Sequence, residues 1–255
     1  MRNIVYFLLL LLEIAYCSKP KDPANQKLFR VNTEQENSTI MEFRYSAGQL
    51  QSSRISDGSF IFQNQQYTWS GSRVVAIDSK SDVLHADQPD LLGYEKKTLE
   101  YDDKGRLSAV KGLPVAPSVD YLGTNIQFHY DGDSKQFSSC TFYYLNLAVP
   151  FLKVYFQYDA RGNITREENY GYDNGVEVKE NTIDYQYEEL PNPLFGYGNP
   201  LKFSTYFSKD SWVKLIRYDK NGQIATTKNF RNEFDGYHVT ARLSSDTSSL
   251  YFEYR

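Results

Sequence analysis

The chain has 255 residues, a formal net charge of −4 and 24% charged residues, with Lys, Arg, Asp and Glu interspersed rather than blocked. That balance lacks the basic face a nucleic-acid binder needs. The length suffices to bury a substantial core in one or two domains. Aromatics reach 16%, with 22 Tyr against two Met, a composition that favours strands over helices.

Met1-Arg2-Asn3 supplies one positive charge, and Ile4 to Leu12 is an unbroken apolar run. A run of that length matches a secretory h-region and is too short to span a bilayer. It ends at Glu13-Ile14-Ala15-Tyr16-Cys17. Residues 1–16 resemble a bacterial lipoprotein signal peptide, in which cleavage falls just before a Cys that becomes lipidated. The resemblance implies lipidation at Cys17 and a membrane partner reached through that anchor; the alternative is an ordinary secretory leader with an incidental Cys. With Cys17 acylated, Cys140 is the one thiol left and no intramolecular disulfide can form. Several acyl chains on one Cys give stable anchoring where a single chain is marginal.

Residues 17–40 are polar with little periodicity and read as a flexible tether. From 41 to 255 short alternating or apolar runs succeed one another between Gly, Asn, Asp, Ser and Pro, which predicts a single β domain. No window sustains a 3.6-residue period over three turns, so little or no helix is expected. The strands are predicted at 41–45, 50–55, 59–69, 73–78, 96–101, 106–111, 125–130 and 135–147. They continue at 151–158, 163–169, 182–187, 201–207, 212–218, 223–230, 236–243 and 249–255. Long connections are expected at 79–95, 112–124 and 170–181. The proline-broken stretch 190–200 reads as an excursion whose apolar residues fold back over the sheet. Alternation places Leu152, Val154, Phe156 and Tyr158 on a buried face, and likewise Leu250, Phe252 and Tyr254.

Three copies of one motif punctuate this pattern: Tyr101-Asp102-x-x-Gly105-x-Leu107, Tyr158-Asp159-x-x-Gly162-x-Ile164 and Tyr218-Asp219-x-x-Gly222-x-Ile224. An aromatic ends a strand, Asp bonds forward to backbone amides, Gly takes the positive-φ position, and an aliphatic residue starts the return strand. Degenerate copies follow Tyr45, Trp69, Tyr130 and Tyr187, which sets a unit of about 29 residues, one strand up and one down. All seven turns are then expected on one edge of the sheet, with Leu107, Ile164 and Ile224 facing the same interior as the tyrosines before them. About 14–16 antiparallel strands cannot lie flat, because twist accumulates. The predicted architecture is an all-β, strongly curled antiparallel meander closing partly on itself.

The motif resembles that of the YD-repeat (Rhs-like) proteins, whose long members spiral into hollow shells. The chain is too short for such a cage, and taken with the Cys17 segment it is similar to uncharacterised Gram-negative surface lipoproteins. The resemblance implies an outer-membrane, lipid-anchored address and a repeat fold. It brings no catalytic residue, metal or cofactor.

Carboxylate pairs such as Glu167-Glu168 and Glu188-Glu189 are the residues a polysaccharide hydrolase would draw on, yet Asp102, Asp159 and Asp219 have turn roles and each pair alternates along a strand or sits in a loop. Asp131-Gly132-Asp133 lacks the further spaced acids of a calcium loop. His85, His129 and His238 form no metal-spaced set, and Cys140 sits in a two-sided apolar run that predicts a buried, inert thiol. The surplus aromatics remain: Tyr67, Trp69, Tyr143, Tyr155, Tyr170, Tyr172, Tyr197, Tyr206 and Trp212 can line a core or offer a platform to a glycan or an envelope protein. The sequence therefore points to a non-catalytic binding or scaffold module, with a hydrolase or a structural envelope component as the alternatives.

Overall fold

The structure, a computed structural model, describes residues 27–33, 40–56, 61–81, 93–114, 124–144, 149–195, 203, 207–244 and 249–255. Sixteen strands lie among them. They are β1 (Leu28–Thr33), β2 (Ile40–Ser46), β3 (Gln49–Ser56), β4 (Ile61–Ser70), β5 (Arg73–Ser81), β6 (Gly93–Tyr101), β7 (Leu107–Pro114) and β8 (Thr124–Tyr130). The second half holds β9 (Phe137–Tyr144), β10 (Pro150–Tyr158), β11 (Ile164–Asp173), β12 (Val176–Pro191), β13 (Asp210–Tyr218), β14 (Ile224–Phe234), β15 (Val239–Ser244) and β16 (Leu250–Tyr254). Each strand pairs with its sequence neighbours, and β1 pairs with both β2 and β16, so the sheet closes into a barrel. Closure is complete where partial closure was expected. Full pairing removes the two open edges a curled meander would leave.

Three strand assignments differ from the sequence expectation. Residues 28–33, expected within the tether, form β1, whose Leu28 and Val31 are buried in the core. The expected connection 170–181 is instead a hairpin: β11 and β12 continue to a turn at Asn174-Gly175, both at positive φ. Of the predicted strand 201–207 only Phe203 and Phe207 are described, and both adopt helical positions and pack against the core.

That last difference moves a motif. The turns after Tyr45, Trp69, Tyr101, Tyr130, Tyr158 and Tyr187 follow even-numbered strands and share one edge of the barrel, here called the turn side. With one strand fewer between Tyr187 and Tyr218, the turn at 219–223 follows β13 and lies on the opposite edge. Ile224, expected inside, is 64% exposed, while Ile164 is fully buried and Leu107 packs against the core.

Strand alternation separates two faces. Val154 and Phe156 of β10 pair with Cys140 of β9 and Glu167 of β11, and these positions point inward with the phenylalanine cluster. The interior holds two clusters, one around Phe43, Leu50, Tyr67 and Ile77 and one around Phe128, Phe137, Phe142 and Phe156. Leu99 and Phe207 pack against both. A sixteen-strand barrel has a lumen too wide for strand side chains alone to fill. The excursion between β12 and β13 supplies the missing bulk. Leu194 joins the first cluster, and the Phe203 ring lies 4.8 Å from that of Phe156 and 5.9 Å from that of Phe137.

The outer face is built from the other parity and is polar along mid-strand. Lys179–Glu168 (2.7 Å), Arg166–Asp184 (2.6 Å) and Arg30–Glu42 (2.8 Å) are ion pairs between adjacent strands, and Lys153–Glu177 (2.9 Å) reaches from β10 across β11 to β12. Cross-strand pairs of this kind contribute a few tenths of a kcal/mol to about 1 kcal/mol each.

Candidate functional site at the turn-side mouth

The site grows out of the turns. At Tyr101–Leu107 the Asp102 carboxylate accepts from the Arg106 amide and guanidinium, both at 2.7 Å, and Gly105 sits at φ +77°. At Tyr158–Ile164 Asp159 accepts from the amides of Arg161 and Asn163 at 2.9 Å, with Gly162 at φ +91°. At Tyr218–Ile224 Asp219 accepts from the amides of Asn221 and Gln223 at 2.9 Å, with Gly222 at φ +79°. Burial works to raise the Asp102 and Asp159 carboxyls, but the turn hydrogen bonds outweigh it and hold both below the ordinary value.

The aromatic of each turn-side hairpin has a second role. Its polar tip donates to the backbone of the preceding hairpin: Tyr45 to Leu28 O (2.9 Å), Trp69 to Leu50 O (2.7 Å) and Tyr101 to Val74 O (2.8 Å). The series continues with Tyr130 to Leu107 O (2.8 Å), Tyr158 to Phe137 O (2.8 Å) and Tyr187 to Ile164 O (2.6 Å), and Tyr254 reaches Val239 O at 3.0 Å. These bonds stitch neighbouring hairpins along the barrel wall. Burial is the main reason the phenols titrate high, Tyr130 being pushed up to about 12 and Tyr158 and Tyr187 higher still. Tyr218, on the opposite edge, instead borders an outer groove with Arg166, Glu168 and Lys179.

The Tyr158 turn also clamps the excursion. Arg161 makes a bidentate pair with the buried Asp210 (2.6 and 2.9 Å), and Asn163 exchanges bonds with the same residue at 2.8 and 2.9 Å. The Ile164 amide donates to Ser208 Oγ at 3.0 Å. So anchored, the excursion presents Phe195 and Phe207 at the turn-side mouth.

Those two rings border two cavities of about 480 Å³ each. The first is walled by the stitching aromatics Tyr45, Trp69 and Tyr101 with Tyr67, and floored by Leu50 and Ile77. Tyr67 donates to Gln65 Oε1 at 3.0 Å and lies 3.1 Å from Ser53 Oγ. Lys27 and Arg73 stand at its rim, and the Arg73 guanidinium lies 5.2 Å from the Tyr101 ring centre. The second cavity is more polar, bordered by Lys135, Gln136, Arg161 and Lys209. A concave, aromatic-walled space of a few hundred Å³ with few polar groups is the form small-molecule sites take.

The remaining candidates disperse. Cys17, Tyr197 and Tyr206 lie outside the described residues. Glu167 is buried on the inward face while Glu168 pairs outward with Lys179, and Glu188 accepts from Asn232 (2.5 Å) while Glu189 is exposed near Arg161. Neither pair converges on a shared space. Asp131-Gly132-Asp133 forms a turn braced by the Lys104–Asp133 pair, and no metal-holding cluster occurs among the described residues. Cys140 is fully buried, and burial pushes its thiol well above the ordinary value. His129 bonds Thr141 Oγ1 at 3.1 Å on the outer face, and burial lowers its pKa. Tyr155 and Tyr170 form an edge-to-face pair (5.4 Å) there, with Lys153 4.7 Å from the Tyr155 ring centre and Lys179 5.8 Å from that of Tyr170. The sequence reading missed Arg242, which is 2% exposed, bonds Asn232 (3.1 Å) and Ser211 (3.3 Å) and stacks at 4.9 Å on Trp212. Burial lowers its pKa to about 10. Its inward parity beside Leu250 on β16 was the available signal.

Fold and site together define a closed antiparallel sixteen-strand barrel with two packed interior clusters and two cavities at one mouth. Among solved structures the chain is similar to a porin-like protein from Bacteroides uniformis ATCC 8492, at 11% identity over 92% of this chain and 98% of that one, with a TM-score of 0.51. A porin-like protein from Bacteroides vulgatus ATCC 8482 matches at 11% identity over 91% and 99%, with a TM-score of 0.44. A fragment of TcdB2-TccC3-TEV matches at 10% identity over 83% of this chain and 10% of that one, TM-score 0.32. The likeness to the first is one of fold. No protein-family model and no curated protein sequence matches the chain.

Proposed function

We propose that this protein is a lipid-anchored, non-catalytic binding module of the cell envelope that takes its ligand in the aromatic cavity at the turn-side mouth. The carrying observation is that cavity, the more apolar of the two at the mouth, walled by Tyr45, Tyr67, Trp69 and Tyr101 above the packed clusters of the interior. The apolar run Ile4–Leu12 followed by Cys17 supports export and acylation. Recurrence of the turn motif and of the aromatic-to-carbonyl bond supports descent from one repeated hairpin. The outer face supports a barrel held in water beside the membrane. A spanning barrel needs an apolar band facing lipid, whereas here that face carries interstrand ion pairs.

Two measurements test this. Cys17→Ala should release the protein from the membrane fraction, and unchanged retention counts against the anchor. Native mass spectrometry of protein purified from envelope extract should show a bound small molecule that the cavity-filling variant Leu50→Trp no longer retains. A chain that carries nothing, or that converts the molecule it carries, defeats the reading.

A further inference from the structure

Resting on that reading, we infer the chemical class of the ligand: a single acyl chain ending in an anionic head, with the chain in the aromatic cavity and the head between Lys27 and Arg73. Two observations carry this, one about the walls and one about the rim.

The walls look suited to sugars, being aromatic, but their donors are already engaged. The Tyr45 hydroxyl donates to Leu28 O, Trp69 Nε1 to Leu50 O, Tyr101 to Val74 O and Tyr67 to Gln65 Oε1. A glycan entering here would exchange water for aromatic walls whose donors are engaged, the free donors of Lys27, Ser72 and Arg73 standing at the mouth, and each of its hydroxyl oxygens left unpaired at depth is penalised. A methylene chain suffers no such loss and gains from leaving water. Depth follows the same logic. Ile77, Tyr67 and Leu50 are buried at 2%, 7% and 8% exposure, while Gly48, Ser72, Arg73 and Phe195 at the mouth are exposed.

The rim is cationic, and its cations meet an aromatic, largely apolar cavity. Three other turn-side cations are neutralised, Lys104 by Asp133, Arg106 by Asp102 and Arg161 by Asp210, while Lys135 and Lys209 border the second, more polar cavity. Lys27 and Arg73 have no ion pair among the described residues, although both border the cavity. Arg73 is held over the Tyr101 ring and against Gly105, where an added Cβ would lie 2.1 Å from its terminal nitrogen. A guanidinium placed by packing rather than by a carboxylate keeps its planar fork available for a carboxylate or phosphate.

Calorimetric titration of the delipidated protein tests this with four probes: laurate, lauroyl-lysophosphatidylglycerol, dodecanol and a neutral oligosaccharide. The expected result is that laurate or the lysolipid binds at least tenfold more tightly than dodecanol. Which of the two is tighter identifies a carboxylate or a phosphate head. Arg73→Gln and Lys27→Gln, both at the exposed rim, should each weaken the anion about three- to tenfold and dodecanol by clearly less; an equal loss for both probes overturns the anionic head. Equal binding of dodecanol and both anions overturns the anionic head. Binding of the oligosaccharide alone overturns the acyl chain while leaving a binding module standing. Binding of none of the four also overturns the inference, and the native mass spectrum then decides the broader reading separately.

Discussion

Tyr158 and Tyr218 occupy the same place in the same motif, so a comparison of Tyr158→Phe with Tyr218→Phe isolates what the fold adds to the sequence. Tyr158 points inward, donates to Phe137 O at 2.8 Å and packs edge-on against Phe137 at 6.2 Å. Tyr218 lines the outer groove near Arg166 and Lys179. Removing the Tyr158 hydroxyl deletes one buried hydrogen bond and leaves the ring in place, which costs about 1–1.5 kcal/mol. In a domain of this size that lowers Tm by about 2–6 °C. Tyr218→Phe should stay within about 0.5 kcal/mol, as surface changes do. Urea unfolding followed by circular dichroism measures both, with unchanged m confirming that the folded and unfolded states keep their compactness. Because burial holds the Tyr158 phenol far above its ordinary pKa, the difference should be constant from pH 6 to 9. Equal losses in the two variants, or a larger loss at Tyr218, refute the placement of the two motifs on opposite edges and faces.

Three further outcomes follow from the same architecture. Phe203→Ala should destabilise by about 3–5 kcal/mol, since that ring is 5% exposed and meets Phe128, Phe142 and Phe156; a loss under 1 kcal/mol in the same unfolding assay would mean the excursion does not fill the barrel. The Asp102, Asp159 and Asp235 carboxyls are held below their ordinary values, so their contribution is present above about pH 4 and is lost as pH falls through the lower folded values. Acid titrations of wild type and Asp159→Asn should therefore converge as pH drops from 5 to 2, and parallel curves would contradict it. Cys140 should resist a thiol reagent at pH 8 until the protein is unfolded, and fast labelling of the native state would show that β9 is not buried as described.

Much of the barrel wall was legible because alternation and turn chemistry are local. Leu152, Val154 and Phe156 declare their face within one strand, and Asp102, Asp159 and Asp219 lie within four residues of the amides they hold. What escaped was set by distant partners. β1 is six residues in a polar stretch, and its pairing partner β16 begins more than 200 residues further along the chain. The Val176–Asn181 stretch alternates between exposed and half-buried positions, so its polarity read as a connection, and only Asn174-Gly175 marked the hairpin. Phe203 and Phe207 carry the residue types of a strand, and their helical placement depends on a lumen that exists once the other strands have closed around it. The cavity was illegible for a related reason. Its walls come from β2 to β7 and the excursion, and the engagement of its Tyr45, Trp69 and Tyr101 donors is a property of hydrogen bonds between hairpins.

The pairing of β1 with β16 has a kinetic meaning. Twelve of the strand pairs join elements separated only by a turn or short loop, contacts that form quickly because little chain entropy is lost in closing them. The seam between Leu28 and Tyr254 is of another order, since β16 must be synthesised before β1 can find its second neighbour. Until then the growing sheet carries two unpaired rims, and its phenylalanines face water. The seam is thus the slowest native contact and the interval of greatest aggregation risk. A proline placed at Phe252, in the middle of that seam, would remove a ladder bond from the one joint that no local turn can re-form.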